Sequence, residues 1–341
     1  MKNEKEKNTM FIDMNLNEKT FLNKIYYYFY SLSEVKKEYN LFIKSLLLLI
    51  ESIQIISYAF SSVHYNSWKL RTKTIKMISN IIEVFRLSNL MKFFTYKIYS
   101  IISYLLIIFI FIICLIVILQ IFIFDSSSKI YKYSTTTIKS LIDILSLIFY
   151  IPITEIILLS IKCVNGTVSG IKDEQVCLEN AHYLNVILGL LGAALLFLWC
   201  IFMLYFSFYP FEKFMSTMRI NSNNDITIVF LKLLLILQNS LISNEYISLF
   251  ILLLISIIMF FFCYNNSTYN NDKLEIILNI KNILIVWTFL VLLFSKLFET
   301  TIEDGFIFLL IFGYNNRHFP NILVHLLFLK QCHLHILLII K

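Results

Sequence analysis

The sequence is poor in the residues that punctuate soluble folds, with six glycines, three prolines and only 15% charged residues in 341. So little glycine excludes collagen-like and linker-like chains and leaves no Gly-rich loop to cradle a phosphate. So little charge, against about 25% in ordinary soluble domains, is a poor match for a water-solvated surface. There is no Gly-x-Ser-x-Gly, Walker loop, kinase signature or His-Glu-x-x-His, so the sequence points to no enzyme and implies no cofactor. What is abundant is apolar: 58% of residues are hydrophobic and the mean hydropathy is +0.76. These properties predict a multi-pass membrane protein.

The formal charge is +7. The basic residues lie between apolar runs, so the expected counter-charge is an anionic lipid headgroup and not nucleic acid. Residues 1–40 are charged and precede the first long apolar run. A cleavable signal peptide places its apolar region much earlier, so the first span reads as an uncleaved anchor. Residues 1–40 are expected to form a cytoplasmic segment, with a short amphipathic helix around Phe21, Leu22 and Ile25.

About 20 apolar residues cross a bilayer core of about 30 Å. Residues 41–60, 98–124, 139–161, 182–209, 247–263 and 278–297 meet that length or approach it. Lys281 and Lys296 lie at the ends of the last run, where their side chains can snorkel to the headgroups. Residues 226–243 hold Lys232 near their middle and almost abut the next run. They read as an interfacial or half-inserted helix, with a full span as the alternative. The expected fold is an all-α, polytopic transmembrane helix bundle of about six spans, with eight as the alternative, plus interfacial amphipathic helices. The membrane domain covers residues 41–313, and a short tail follows at 314–341.

Six spans put both termini on one side. With that side cytoplasmic, residues 61–97, 162–181 and 264–277 become external. Cys163 and Cys177 then share an external loop, where an oxidising compartment allows a disulfide. The glycosylation sequons at Asn165, Asn265 and Asn266 also fall in external segments. Residues 61–97 oppose this, because they carry Lys69, Arg71, Lys73, Lys76, Arg86, Lys92 and Lys97 against Glu83. The positive-inside rule would hold that segment in the cytoplasm. An amphipathic helix over 74–94, with Ile78, Ile81, Ile82, Phe85 and Leu90 on its apolar face, would lie in the interface and remove the conflict. The reading adopted keeps the N-terminus cytoplasmic, in a plasma membrane or endomembrane.

Ionisable residues inside spans are the natural place to seek function. Here they are Lys44, Glu51, Asp143, Glu155 and Lys232. Lys44 and Glu51 share a helix face about 10 Å apart, and Gln54 shares it too. Asp143 and Glu155 lie about 18 Å apart along their helix and about 120° around it, so they cannot act as paired carboxylates. Glu51 and Glu155 read either as lining a polar path, paired with Lys44 or Lys232, or as joining helices. Gly189, Gly192 and Ala193 form a small-residue patch suited to close helix packing. Pro152 is expected to kink its span, and Cys114, Cys200 and Cys263 read as packing residues. The tail sequence Gln331-Cys332-His333-Leu334-His335 is metal-like in composition alone, because its histidines point apart on a helix and no second cluster exists.

Several spaced stretches belong together. They are Ile50-Glu51-Ser52-Ile53-Gln54-Ile55-Ile56-Ser57 followed by Trp68, then Ile151-Pro152-Ile153-Thr154-Glu155-Ile156. Cys163 and Cys177 come next with His182 shortly after, and a span holding Gly189 and Gly192 closes at Tyr209-Pro210. Over residues 39–313 the chain resembles the N-terminal membrane region of the tiny macrocysts B-like proteins of protists. The resemblance implies a multi-pass membrane protein with an external Cys–Cys loop. Longer relatives add membrane segments and a large cytoplasmic portion, often with a PAS-type sensor domain. This chain departs after Gly313, and a truncated product or a misassigned exon would account for its ending. The function expected is a non-enzymatic sensor or scaffold membrane domain in signalling. Its partners would be the lipid bilayer and other membrane helices, or a second copy of the chain. The alternative is an ion channel or transporter with Lys44, Glu51, Asp143, Glu155 and Lys232 lining its pathway.

Overall fold

The computed structural model describes residues 25, 28, 32, 41–61, 64, 77, 81–82, 84–122, 129–164, 166–172, 175–179, 181–207, 222–242, 244–265 and 271–297. Eight α-helices dominate the described residues. They are α1 (Leu41–Ile56), α2 (Tyr96–Phe122), α3 (Lys129–Ile144), α4 (Tyr150–Leu158), α5 (Ala181–Ser207), α6 (Ser222–Leu241), α7 (Glu245–Asn265) and α8 (Asp272–Leu297). A 3-10 turn, Ser57–Phe60, continues α1, and a π turn, Leu145–Phe149, joins α3 to α4 without breaking the rod. Helix is what lipid demands of such apolar runs, because each backbone polar group must find its partner within the segment.

Among the described residues, seven segments are long and apolar enough to cross a membrane: Leu41–Phe60, Tyr96–Phe122, Tyr133–Ile161, His182–Tyr205, Asn224–Leu241, Glu245–Asn265 and Asp272–Leu297. The chain is an integral, multi-pass membrane protein. Helix α2 shows why most directly. Leu105, Phe109, Phe111 and Ile112 are exposed along it, and only 22% of its most apolar window is buried. In water such a face would be an aggregation site, whereas lipid tails solvate it.

The seventh segment is α6, which the sequence left between an interfacial helix and a full span and which is long and apolar enough to cross. Asn239 and Ser240, near its C-terminal end, line one cavity with Ser61, Lys162, Ser169 and Gly170. That places the C-terminal end of α6 at the same end of the bundle as the cysteine loop. Lys232 was the reason to doubt a full span, and the partners described below explain why the lysine is tolerated. An added crossing reverses everything after it. The start of α7 joins the end of α8 through the Lys296–Glu245 ion pair at 2.9 Å. Asn265, at the C-terminal end of α7, therefore lies at the opposite end from Cys163 and Cys177. The sequence reading put the Asn265 sequon on the same side as these cysteines, whereas α7 ends at the other end of the bundle from them. Asn165, Asn266 and residues 298–341 lie outside the described residues.

Two smaller expectations also change. The amphipathic helix over 74–94 is not continuous. Ile81 and Ile82 are helical, the chain turns at Val84 and Phe85, and a 3-10 helix, Leu87–Phe93, follows. The segment before residue 41 is more than a charged tail, because Tyr28 and Leu32 are fully buried against the bundle. Tyr28 Oη donates to Gln120 Oε1 at 3.0 Å, and Lys139 Nζ donates to the Leu32 carbonyl at 3.2 Å.

Small residues set the distance between α4 and α5. A Cβ at Gly189 would sit 2.6 Å from the Ile157 carbonyl oxygen, and one at Gly192 would meet the Ile107 side chain at 2.8 Å. The patch formed with buried Ala193 is thus consumed inside the bundle.

Candidate functional site

Helix α1 carries charge because one of its faces never meets lipid. Lys44, Glu51, Gln54, Tyr58 and Ser61 recur at spacings of seven, three, four and three, which keeps them on one side of a helix. All are buried. From Lys44 to Ser61 this polar stripe extends about 25 Å. It faces α8 and α6, which answer it with their own buried polar residues, among them Lys281, Asn279 and Lys232.

At its middle lies a three-residue ion cluster. Glu51 Oε1 is 2.5 Å from Lys232 Nζ, and Glu51 Oε2 accepts from Lys281 Nζ at 2.8 Å. Lys232 Nζ also donates to the Ser146 carbonyl at 2.9 Å. That carbonyl lies in the π turn just before Pro152. Proline has no N–H, so its helix loses one ladder bond and the preceding backbone is displaced. The kink expected from the sequence takes the form of a widened turn, and the turn supplies a ligand to the lysine. Three helices and a turn thus meet at one carboxylate. A cavity of about 20 Å³ adjoins it, lined by Glu51, Lys232, Lys281, Asp225 and Ser146 among others. A site needs about 10–15 Å³ to admit one water.

A second ion pair closes the stripe at the cysteine-loop end. Arg86 Nη2 is 2.6 Å from Glu155 Oε1, and Arg86 Nε donates to Oε2 at 3.3 Å. Ser88 Oγ donates to Glu155 Oε2 at 2.7 Å. The guanidinium also stacks over the Tyr58 ring, 4.4 Å from its centroid, in a cation–π contact. Beyond this pair a larger cavity of about 60 Å³ opens between the turn at 86–92, α4, the cysteine loop and α6.

Nearby, His64 is buried and its Nε2 lies 3.2 Å from Ser248 Oγ. Gln238 Nε2 donates to the same hydroxyl. Burial, opposed by Glu245, pushes the imidazole down to about 4.

The cysteine loop is a small hairpin. Strands β1 (Cys163–Val164) and β2 (Thr167–Val168) pair antiparallel, and Cys163 is disulfide-bonded to Cys177. Leu178 adopts a left-handed φ of 61°, and its N–H donates to His182 Nδ1 at 2.8 Å. With that nitrogen accepting, His182 Nε2 carries the proton and donates to the Ser160 carbonyl at 2.9 Å. Cys163, Cys177 and His182 place their ligand atoms within 4.8 Å of one another. The sulfurs are bonded together and both ring nitrogens are engaged, so this trio presents no open metal ligand set.

Set against the sequence reading, Glu51 and Lys232 meet as that reading allowed. Glu155 pairs with Arg86 instead of Lys44 or Lys232. Lys281 does not snorkel: α8 begins at Asp272, which places Lys281 about 13 Å inside the helix. Lys44 is buried two turns from Glu51, and the Asp143 side chain lies outside the described residues. Lys281, Arg86, Ser88 and His64 were missed. For Lys281 the available signal was a polar helix start, Asp272-Lys273, upstream of the apolar run. Comparison with known proteins returned nothing: no family model, no curated protein and no solved structure matches this chain.

Proposed function

We propose that this membrane protein is a non-enzymatic ion-conducting or ion-translocating bundle, described here closed, whose pathway follows the polar face of α1. The observation that carries the reading is the convergence of Glu51, Lys232 and Lys281, from three helices, on one cavity at mid-depth. An ionisable residue there costs at least about 2.5–3.5 kcal/mol on insertion scales, and such residues characteristically mark ion paths. Helix cohesion alone would be served by apolar contacts at no such cost. Two pairs then act as closures, Glu51 with its lysines at the centre and Arg86–Glu155 over Tyr58 at one end. The sensor or scaffold role implied by the tiny macrocysts B-like resemblance needs a helix face offered to a partner. Gly189 and Gly192 make the close helix packing expected of them inside this bundle, against Ile157 and Ile107, and so offer no such face. In this reading the disulfide end is external and the start of α1 is cytoplasmic, which retains the orientation favoured by the cysteines over that favoured by the basic segment.

The test is flux. The purified full chain would be placed in phospholipid vesicles loaded with KCl and a pH-sensitive dye, and K⁺, Cl⁻ and H⁺ movement followed under an imposed gradient. The expected result is flux of at least one ion above protein-free vesicles, changed about tenfold by Glu51→Gln, the equivalent of about 1.4 kcal/mol in a barrier. Flux equal to that of empty vesicles, or indifferent to Glu51→Gln, overturns the proposal.

A further inference from the structure

The cavity of about 60 Å³ at the cysteine-loop end has a different chemistry from the central cluster. Among its described lining residues three are cationic, Arg86, Lys92 and Lys162, and one is anionic, Glu155. Glu155 is already matched by Arg86 and by the Ser88 hydroxyl. Two hydrogen-bond donors belong to the same lining. Ser61 is 4% exposed, yet its Oγ has no hydrogen-bond partner among the described residues. The Asn89 Nδ2 is buried and likewise without one. A buried donor left unmade costs about 1–3 kcal/mol, so a wall that keeps two of them is shaped for a ligand rich in acceptors. The space is several times the roughly 10–15 Å³ that one water requires. The cavity also lies at the end of the bundle, beside the 3-10 turn whose Leu90 and Phe93 are exposed apolar residues, where acyl chains meet headgroups.

We infer that this cavity binds a phosphate group, through the Ser61 hydroxyl and the Asn89 amide, with Lys92 and Lys162 supplying charge at the rim. A phosphate offers several acceptor oxygens and negative charge together, which is what unpaired donors beside lysines recognise. The group can arrive as free inorganic phosphate or as the headgroup of an anionic phospholipid. The inference does not depend on whether the central cluster conducts ions.

The experiment uses the full chain purified in detergent. Titration calorimetry with inorganic phosphate reads the free anion, and native mass spectrometry with phosphatidic acid against phosphatidylcholine reads the lipid. Binding of inorganic phosphate would identify a free anion, and retention of phosphatidic acid without it would identify a headgroup. In either case the Ser61→Ala, Asn89→Ala double variant should bind at least about tenfold more weakly. Lys92→Glu tests the same site from an exposed position, where a folding defect is not expected, and should weaken binding to a similar degree. No binding of either probe, or binding unchanged in both variants, would overturn the assignment.

Discussion

Glu51 holds two buried ammonium groups in place, those of Lys232 and Lys281. Removing one member of a buried ion cluster costs about 3–5 kcal/mol, because the remaining charge is left unmatched. Glu51→Gln is therefore expected to lower the thermal midpoint of the detergent-solubilised protein markedly. Adding Lys232→Met should recover part of the loss, since the two residues share one interaction and their effects cannot add. Strict additivity in that cycle would mean the 2.5 Å contact carries no coupling. His64 behaves in the opposite sense to a paired histidine. Its folded value, about 4, lies below the unfolded value of about 6.5, so the unfolded chain binds more protons between those limits. Stability is full above about pH 6.5 and falls as the pH drops towards 4, by up to about 3 kcal/mol. Melting curves at pH 7 and pH 5 should show the decline, and His64→Gln should flatten it. At this scale the sequence was legible wherever a charge interrupted an apolar run, as at Glu51 and Lys232. Arg86 was not legible, because it sits in a segment full of lysines and only the fold brings it to Glu155.

Among the elements, the third span is the most informative. Pro152 announces a disturbed helix, but sequence cannot say whether the strain becomes a sharp bend or a widened turn. The outcome depends on what can bond the displaced carbonyls, and here Lys232 on α6 does so. Boundaries were harder to read than existence. Helix α8 starts six residues before its apolar run, because Asp272 and Glu275 suit the positive end of a helix dipole, and that shift moves Lys281 from the headgroups to the core. The glycines of α5 allow a graded test. Gly189→Ala drives a Cβ against the Ile157 backbone oxygen and should cost about 1–3 kcal/mol. Gly192→Ala meets the Ile107 side chain, which can rotate away, and should cost less. Equal losses in the two variants, measured by thermal unfolding, would contradict the packing described for α4 and α5.

For the whole molecule, composition alone was enough to place the chain in lipid, since no other solvent suits a 58% hydrophobic sequence. The path through the membrane was less readable. Hydropathy weighs residues one at a time, so Lys232 made α6 look unfit to span. Its cost is offset by Glu51, which lies 181 residues earlier in the chain, and no local window contains both. The same non-local pairing joins the central cluster, Tyr58 and the Arg86–Glu155 pair into a single polar column surrounded by apolar helix faces. Most direct as a test of that column is its reactivity towards a charged, water-soluble thiol reagent. In a background with Cys114, Cys200, Cys263 and Cys332 replaced by alanine, single cysteines would be placed at Gln54 and Tyr58 in the column and at Leu49 and Leu105 on the lipid-facing surface. Reaction at the two column positions while ions flow under an imposed gradient, with the two lipid-facing positions inert, is the predicted pattern. Inert column positions, or labelling no faster there than at the lipid-facing pair, would contradict it.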